Sequence, residues 1–542
     1  MLATPFPNQP PPFEGGNLAT GDPMLRGALA AHGVPLDASL ADWGARLASA
    51  EVAALADAAN RHSPRLRTHD ATGERIDTVE FDPAWHALMQ LATRAGEHCA
   101  PWSAPGPTAQ RTRAARYYLH AQVENGTQCP LTMTFAAIPV LMRHAAASGV
   151  APAWLARAQA ADYDPRPLPV ADKRAALLGM GMTERQGGSD VRANRTIATR
   201  AGDHYTVRGH KWFFSAPQCD AHLVLAQADE GLACLLMPHW LDDGTRNAIR
   251  IDRLKDKLGN RSNASAEVQF DDALAWPLGE PGRGVATILE MVQLTRLDCV
   301  IGSAGLMRAA LARAVHWCTH RIAFGTRLVD APLMRNVLAD VALESEAALH
   351  LAFAAAASVE SSAGADARAL ARLLVPAAKY WVCKRAPMVA LECMEAMGGN
   401  GYVDEQPLPR LYREAPVNSI WEGSGNVICL DVLRALERHP EAADALRALL
   451  AGVRGGNAVL DAAASRATDL LGGRVNPSDA RRVAQAIATV VAGALLVRDA
   501  PAAVADAYCV ARLADDVHAG AAFGTLPGRI DAGAIVRRLL DG

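Results

Sequence analysis

Between residues 26 and 178 apolar side chains recur three and four positions apart, as in LADWGARLASAEVAALADAANRH, PAWHALMQLATRAGEH and TFAAIPVLMRHAAA. That spacing lines one face of a helix, so the stretch is predicted to be α-helical. Near residue 179 the period shortens to two. TIATRAGDHYTVRGHKWFFSA, AHLVLAQADEGLACLLMPH, NAIRIDRL and NASAEVQFDDA are strand-like runs separated by Ala-Gly-Asp, Asp-Glu-Gly and Gly-Asn turn chemistry, which predicts a small antiparallel β-domain. After Gly282 the helical period returns in long units such as GVATILEMVQLTRLDCVIGSAGLMRAALARAVHWCTH, joined by short loops, the pattern of an antiparallel bundle. Beyond His439-Pro440 the chain is alanine-rich, a bias that favours helix. The predicted fold is therefore mainly α with a central antiparallel β-domain, in four segments. These are a helical domain with a proline-rich arm (1–178), a β-domain (179–281), a helical bundle (282–438) and a helical extension (439–542).

The 542 residues, half of them apolar, exceed what one core holds, so two to four units are expected. A formal net charge of −3 supplies no global field toward nucleic acid or anionic membrane; such a partner must be met by a local patch. Ten cysteines form no CxxC pair, which suits buried thiols in a reducing compartment and predicts no metal site. The first 25 residues lack both a basic start and a continuous apolar stretch, so they do not read as a secretory signal. The longest apolar runs, such as AIATVVAGALLV, are shorter than the roughly 20 residues of a membrane span. A soluble, cytoplasmic protein is expected.

Five short stretches carry candidate chemistry. In MTERQGGSD (182–190), Gly187, Gly188 and Ser189 let backbone amides approach an anion, and Thr183 adds a hydroxyl; the same run also reads as a plain turn. KWFFSA (211–216) offers aromatics either to a sheet core or to a flat heterocycle. HRIAFGTRL (320–328) holds Arg321, Phe324 and Arg327, where arginines can grip phosphates or cap helices. EAMGGNGY breaks a long helix at Gly398-Gly399. In SIWEGSGN (419–426) a lone carboxylate, Glu422, sits at the threshold of a helix. Capping by Ser424 or Asn426, with the acid complementing the helix dipole, is one reading, and a catalytic acid or base is the other.

In this order, MTERQGGSD, KWFFSA, HRIAFGTRL, EAMGGNGY and IWEGSGN resemble the flavin-dependent acyl-CoA dehydrogenases. The wording GMGMTERQGGSDVRANRT and the extension beyond 438 are similar to the AidB-like, alkylation-response branch of that family. The resemblance implies FAD held non-covalently between β-domain and bundle in a homotetramer. It also implies acyl-CoA as substrate, weakly turned over when short or branched (isovaleryl-CoA-like), and sequence-tolerant binding of duplex DNA. It makes Glu422 the base that removes the α-proton of a thioester while the β-hydrogen leaves as hydride. It places Met182, Thr183, Gly188, Ser189, Phe213, Phe214, Ser215, Arg321, Phe324, Gly399, Trp421, Ser424 and Asn426 at the cofactor, and Arg296 beside the substrate channel. Arg185, Gln186 and Trp421 depart from the usual dehydrogenase wording, which puts ordinary fatty acyl-CoA turnover in question. Within the near-neutral extension, Arg474, Arg481, Arg482, Arg537 and Arg538 are the candidate phosphate-binding strip. The alternative is a metabolic short- or branched-chain acyl-CoA dehydrogenase with no DNA role.

Overall fold

The computed structural model describes residues 8–13, 16–146, 148–471, 475–515 and 522–540. The chain divides into two compact units that do not follow chain order. One gathers the described parts of 1–49, 106–123 and 296–542; the other comprises 50–105 and the described parts of 124–295. The N-terminal helices are thus shared between the units, and the extension beyond 438 lies within the first.

The second unit carries a seven-stranded sheet. Strand Ala221–Ala228 pairs with Ile197–Ala201, which continues through His204–Ser215 and Ser265–Leu278 to Gly231–Pro238; that strand pairs back with Ala221–Ala228. The strands of this path therefore close on themselves, while Leu178–Gly181 and Ile249–Leu254 each pair on one side only. Alternate side chains, among them Tyr205, Val207, Phe214, Val224, Leu235, Ile251, Val268 and Phe270, fill the interior.

The expectation of a purely antiparallel domain is corrected: Leu178–Gly181 runs parallel to Ala221–Ala228, and Ile197 meets Gln227 in parallel register. Period-two alternation is the same in both kinds of ladder, and Leu178–Gly181 is buried at every position, so it carries no alternation. The helical stretch before 178 also contains an unpredicted hairpin, Arg65–His69 with Arg75–Glu80. Asp70 turns it, its carboxylate accepting the N–H groups of Thr72 and Glu74.

The first unit is helical. Gly284–His320 (whose residues from 296 belong to it), Pro332–Ser358, Ala365–Ala396 and Gly425–Arg438 form the predicted bundle. Ala480–Asp499 buries Val483, Ile487, Val490, Val491, Leu495 and Leu496, each worth about 1.5–3 kcal/mol. Arg512 reaches Asp340 at 2.6 Å and Glu344 at 2.8 Å, and Arg538 grips Glu346 with two bonds of 2.9 Å. The extension is thus joined to the bundle by buried apolar and ionic contacts, and cutting the chain at 438 would expose both. The segment Pro477–Asp499 is long and apolar enough to cross a membrane, but 72% of its apolar window is buried in the fold.

Sequence placed a loop at 320–328; a two-residue hairpin stands there, Ile322–Ala323 with Thr326–Arg327. Phe324 and Gly325 both have positive φ at its tip. Part of the proline-rich arm docks on it, since Asn8 pairs through its side chain with the backbone N–H and C=O of Ile322. All ten cysteines are buried free thiols.

Candidate active site

In the helical unit, Pro407–Glu414 and a short 3-10 turn lead into Trp421-Glu422-Gly423, and the helix Gly425–Arg438 follows. Glu422 has φ of +58°, in the left-handed region that non-glycine residues rarely occupy. Two buried cations hold it there. Lys379 Nζ donates to the carbonyls of Trp421 at 2.8 Å and Gly423 at 2.6 Å, and Arg296 Nε donates to that of Glu422 at 3.0 Å. Three consecutive carbonyls are therefore pinned. Arg296 is itself fixed by Asp431, within the helix that follows, at 2.5 Å. A strained backbone held by charge-assisted hydrogen bonds is typical of functional sites.

Plain capping does not account for this loop. Ser424 stands at the N-cap with no side-chain cap bond, and the Asn426 side-chain oxygen accepts from Arg481 Nε at 2.8 Å. The Trp421 indole N–H is buried without a partner. Lys379 and Asp431 were not singled out from sequence; the available signal was a lysine inside the apolar run LLVPAAKYWV.

In the sheet-bearing unit, Thr183 to Ser189 form a tight turn closed by Glu184 and Gly187, each donating its N–H to the other's carbonyl. A side chain at Gly188 would meet Thr183 Oγ1 at 2.4 Å, so any larger residue would force the Thr183 side chain to shift. Thr183 O accepts from the N–H of Trp212 and Met182 O from Asn194, tying the loop to the KWFFSA strand. The anchor is a buried pair missed from sequence: Glu184 and Lys211, 2.9 Å apart and both fully buried. Lys211 also donates to Leu225 O at 2.8 Å.

Burial pushes the Glu184 carboxyl up, but the Lys211 charge and the Arg195 N–H outweigh it and hold it at about 2. A carboxyl lowered on folding stabilises the fold fully above its usual value near 4.5 and loses that contribution as pH falls toward 2. The gap in thermal midpoint between the protein and Glu184→Gln should therefore narrow between pH 5 and 3. A gap independent of pH would contradict this assignment.

Of the aromatics in KWFFSA, Phe213 is 53% exposed. Phe214 is not available to a cofactor: it is fully buried, stacked on His222 with ring centroids 3.8 Å apart, and belongs to the sheet core. Alternation dictates this, since Phe213 and Phe214 point to opposite faces of one strand. Ser215 is partly buried, and its carbonyl accepts from His222. The charge of Arg185 lies over the Trp212 ring, 5.0 Å from its centroid.

Elsewhere in the helical unit, Arg321 donates to Asn8 O at 2.7 Å, and Phe324 stands wholly in solvent. Gly398 and Gly399 are exposed, with nothing within 4 Å of a would-be side chain. The arginine strip is corrected. Arg538 is half-buried and paired with Glu346; Arg481, Arg482 and Arg537 are exposed, Arg481 donating to Asn426 and Arg537 lying 3.6 Å from Asp531; Arg474 lies outside the described residues.

Family models match in chain order: the adaptive response protein AidB N-terminal domain at 8–165, the acyl-CoA dehydrogenase middle domain at 179–273 and its C-terminal domain at 282–437. The putative acyl-CoA dehydrogenase AidB of Escherichia coli (strain K12) is 45% identical over 93% of this chain and 93% of its own. A crystal structure of Caenorhabditis elegans ACDH-11 in complex with C11-CoA superposes with a TM-score of 0.84 at 26% identity, covering 100% of this chain and 94% of that one. An acyl-CoA dehydrogenase complexed with FAD from Bacillus anthracis shares the fold, with a TM-score of 0.62 at 17% identity over 77% of this chain and 75% of its own.

The residues present fit such a cofactor. An unpaired indole N–H beside Glu422, a helix start without a side-chain cap and open glycines at 398 and 399 stand in one unit; an exposed Phe213 and a glycine-built turn stand in the other. With three domain models in register and 45% identity along nearly its whole length, the chain belongs to the acyl-CoA dehydrogenase family.

Proposed function

We propose that this protein binds FAD without a covalent bond and dehydrogenates short or branched acyl-CoA thioesters between the α and β carbons, with Glu422 as base. The observation that carries the reading is the pinned, left-handed conformation of Glu422 beside an unpaired indole. FAD, when bound, accepts the β-hydrogen as hydride. The Glu422 carboxylate takes the α-proton, and the electron pair of that C–H bond becomes the new double bond. Lys379 and Arg296 fix the backbone from which the carboxylate projects, so no reorganisation is needed during proton transfer. The bulk of Trp421 next to the base favours short or branched acyl groups. Met182, Thr183, Gly188, Ser189, Phe213, Ser215, Trp421, Ser424 and Asn426 are the residues that would contact the flavin. Arg321, Phe324 and Gly399 would meet it across a subunit contact. Anaerobic addition of isovaleryl-CoA should bleach the oxidised flavin band; a bound flavin that no short acyl-CoA reduces would overturn the reading.

The assembly is read as a homotetramer in the cytoplasm. Phe324 at 105%, Tyr402 at 80% and Leu333 at 75% exposure are large apolar side chains that suit a surface covered by another copy.

The similarity to an adaptive response protein supports a role in the DNA alkylation response, with non-specific duplex binding through Arg482 and Arg537. Duplex affinity should fall with added salt, and reversing both charges (Arg482→Glu with Arg537→Glu) should weaken it at least about tenfold while leaving bleaching intact. Salt-insensitive binding, or none, would leave the metabolic dehydrogenase.

A further inference from the structure

Three side chains from distant parts of the chain converge in the helical unit. His32 caps the C-terminus of Pro23–Ala31, His350 lies within Pro332–Ser358, and Asp499 ends Ala480–Asp499. One donor atom from each lies within 4.8 Å of the others. The imidazoles are 8% and 1% exposed, and the Asp499 side chain 8%. His32 Nε2 and His350 Nδ1 have no hydrogen-bond partner. Buried polar atoms are nearly always satisfied, so two unpartnered ring nitrogens beside a carboxylate call for a shared partner.

The donor set indicates which partner. A deprotonated imidazole nitrogen is a Lewis base, and imidazole combined with carboxylate suits borderline divalent metals such as zinc. Arg498 grips both oxygens of Asp499 at 2.7 Å, fixing the carboxylate as an outer-shell donor does. The other cations of the neighbourhood have carboxylates of their own, Arg538 in Glu346 and Arg111 in Glu360. Phe353, 5.5 Å from the His32 ring, closes one side against solvent.

We propose that His32, His350 and Asp499 bind one divalent transition-metal ion of the zinc class, with a water as fourth ligand. At metal–ligand bonds of about 2.1 Å, tetrahedral donors stand about 3.4 Å apart. His350 Nδ1 and Asp499 Oδ2 are 4.0 Å apart and all three donors lie within 4.8 Å of one another, so closing on an ion requires each pair to approach by up to about 1.4 Å. The ion staples the first helix, a central bundle helix and the extension to one another. Its role is structural and separate from the chemistry at Glu422.

The test uses the untagged full-length protein, stripped with a chelator and equilibrated overnight with Co²⁺ or Zn²⁺. One Co²⁺ per chain should appear with the visible bands of a tetrahedral site, Zn²⁺ should displace it, and the thermal midpoint should rise with free Zn²⁺. His350→Gln and Asp499→Asn should each weaken binding at least about tenfold. Absence of stoichiometric binding by the stripped wild-type protein, which requires no variant to fold, would overturn the proposal and leave a bridging water. Binding that survives in both variants would overturn it as well.

Discussion

Replacing Glu422 with glutamine is expected to leave FAD bound and to slow anaerobic bleaching by isovaleryl-CoA by roughly 10²- to 10⁴-fold, the usual contribution of a positioned base. Glutamine keeps the size of the side chain and does not disturb the carbonyls of Trp421, Glu422 and Gly423, which are held by Lys379 and Arg296. The loop should therefore keep its shape while losing the carboxylate that accepts the α-proton. Rapid-mixing absorbance of the flavin band measures the effect directly. Retention of the wild-type bleaching rate would remove Glu422 from the base role, whatever the conformation of its backbone.

Lys379→Met should be the next most damaging change at the site. The lysine is 1% exposed and has two acceptors, the carbonyls of Trp421 and Gly423, at 2.8 and 2.6 Å. Methionine fills the volume but leaves both carbonyls unpaired, and a charged hydrogen bond of this kind is worth about 1.5–3 kcal/mol. Without the clamp the left-handed conformation of Glu422 loses support, and the carboxylate drifts from its position. A displacement on the order of 1 Å can cost about a hundredfold in rate. The bleaching rate should fall by about that factor while the concentration for half-maximal bleaching changes little, and the thermal midpoint should drop. A variant that is destabilised but bleaches at the wild-type rate would show that the clamp serves folding alone.

Much of this was legible in the residues. The change of period near 179 and its return after 282 located the sheet between helical segments, because alternation and helical spacing are local properties. The five motifs in order pointed to the family, and IWEGSGN supplied Glu422 as the candidate base. What was not legible depends on contacts between distant residues. Lys379 lies 42 positions from Trp421, and Arg296 lies 135 from Asp431, so no spacing rule links them. The Glu184–Lys211 anchor joins two of the quoted motifs, yet neither motif alone shows that its charge is buried. An alanine-rich helix reads alike whether packed or solvated, so the near-neutral extension read as a separate helical segment carrying a candidate phosphate-binding strip. In the structure its Arg512 and Arg538 are spent on Asp340, Glu344 and Glu346 of the bundle. Phe214 was misplaced for a simpler reason: of two adjacent aromatics on a strand, only one faces outward.

These points converge on a single claim, that the pinned carboxylate of Glu422 works against a flavin. The most direct measurement is the visible spectrum of the purified chain, before and after incubation with FAD, followed by anaerobic titration with isovaleryl-CoA. The account predicts one FAD per chain and progressive bleaching of its oxidised band. A protein that stays colourless after FAD is supplied would contradict it.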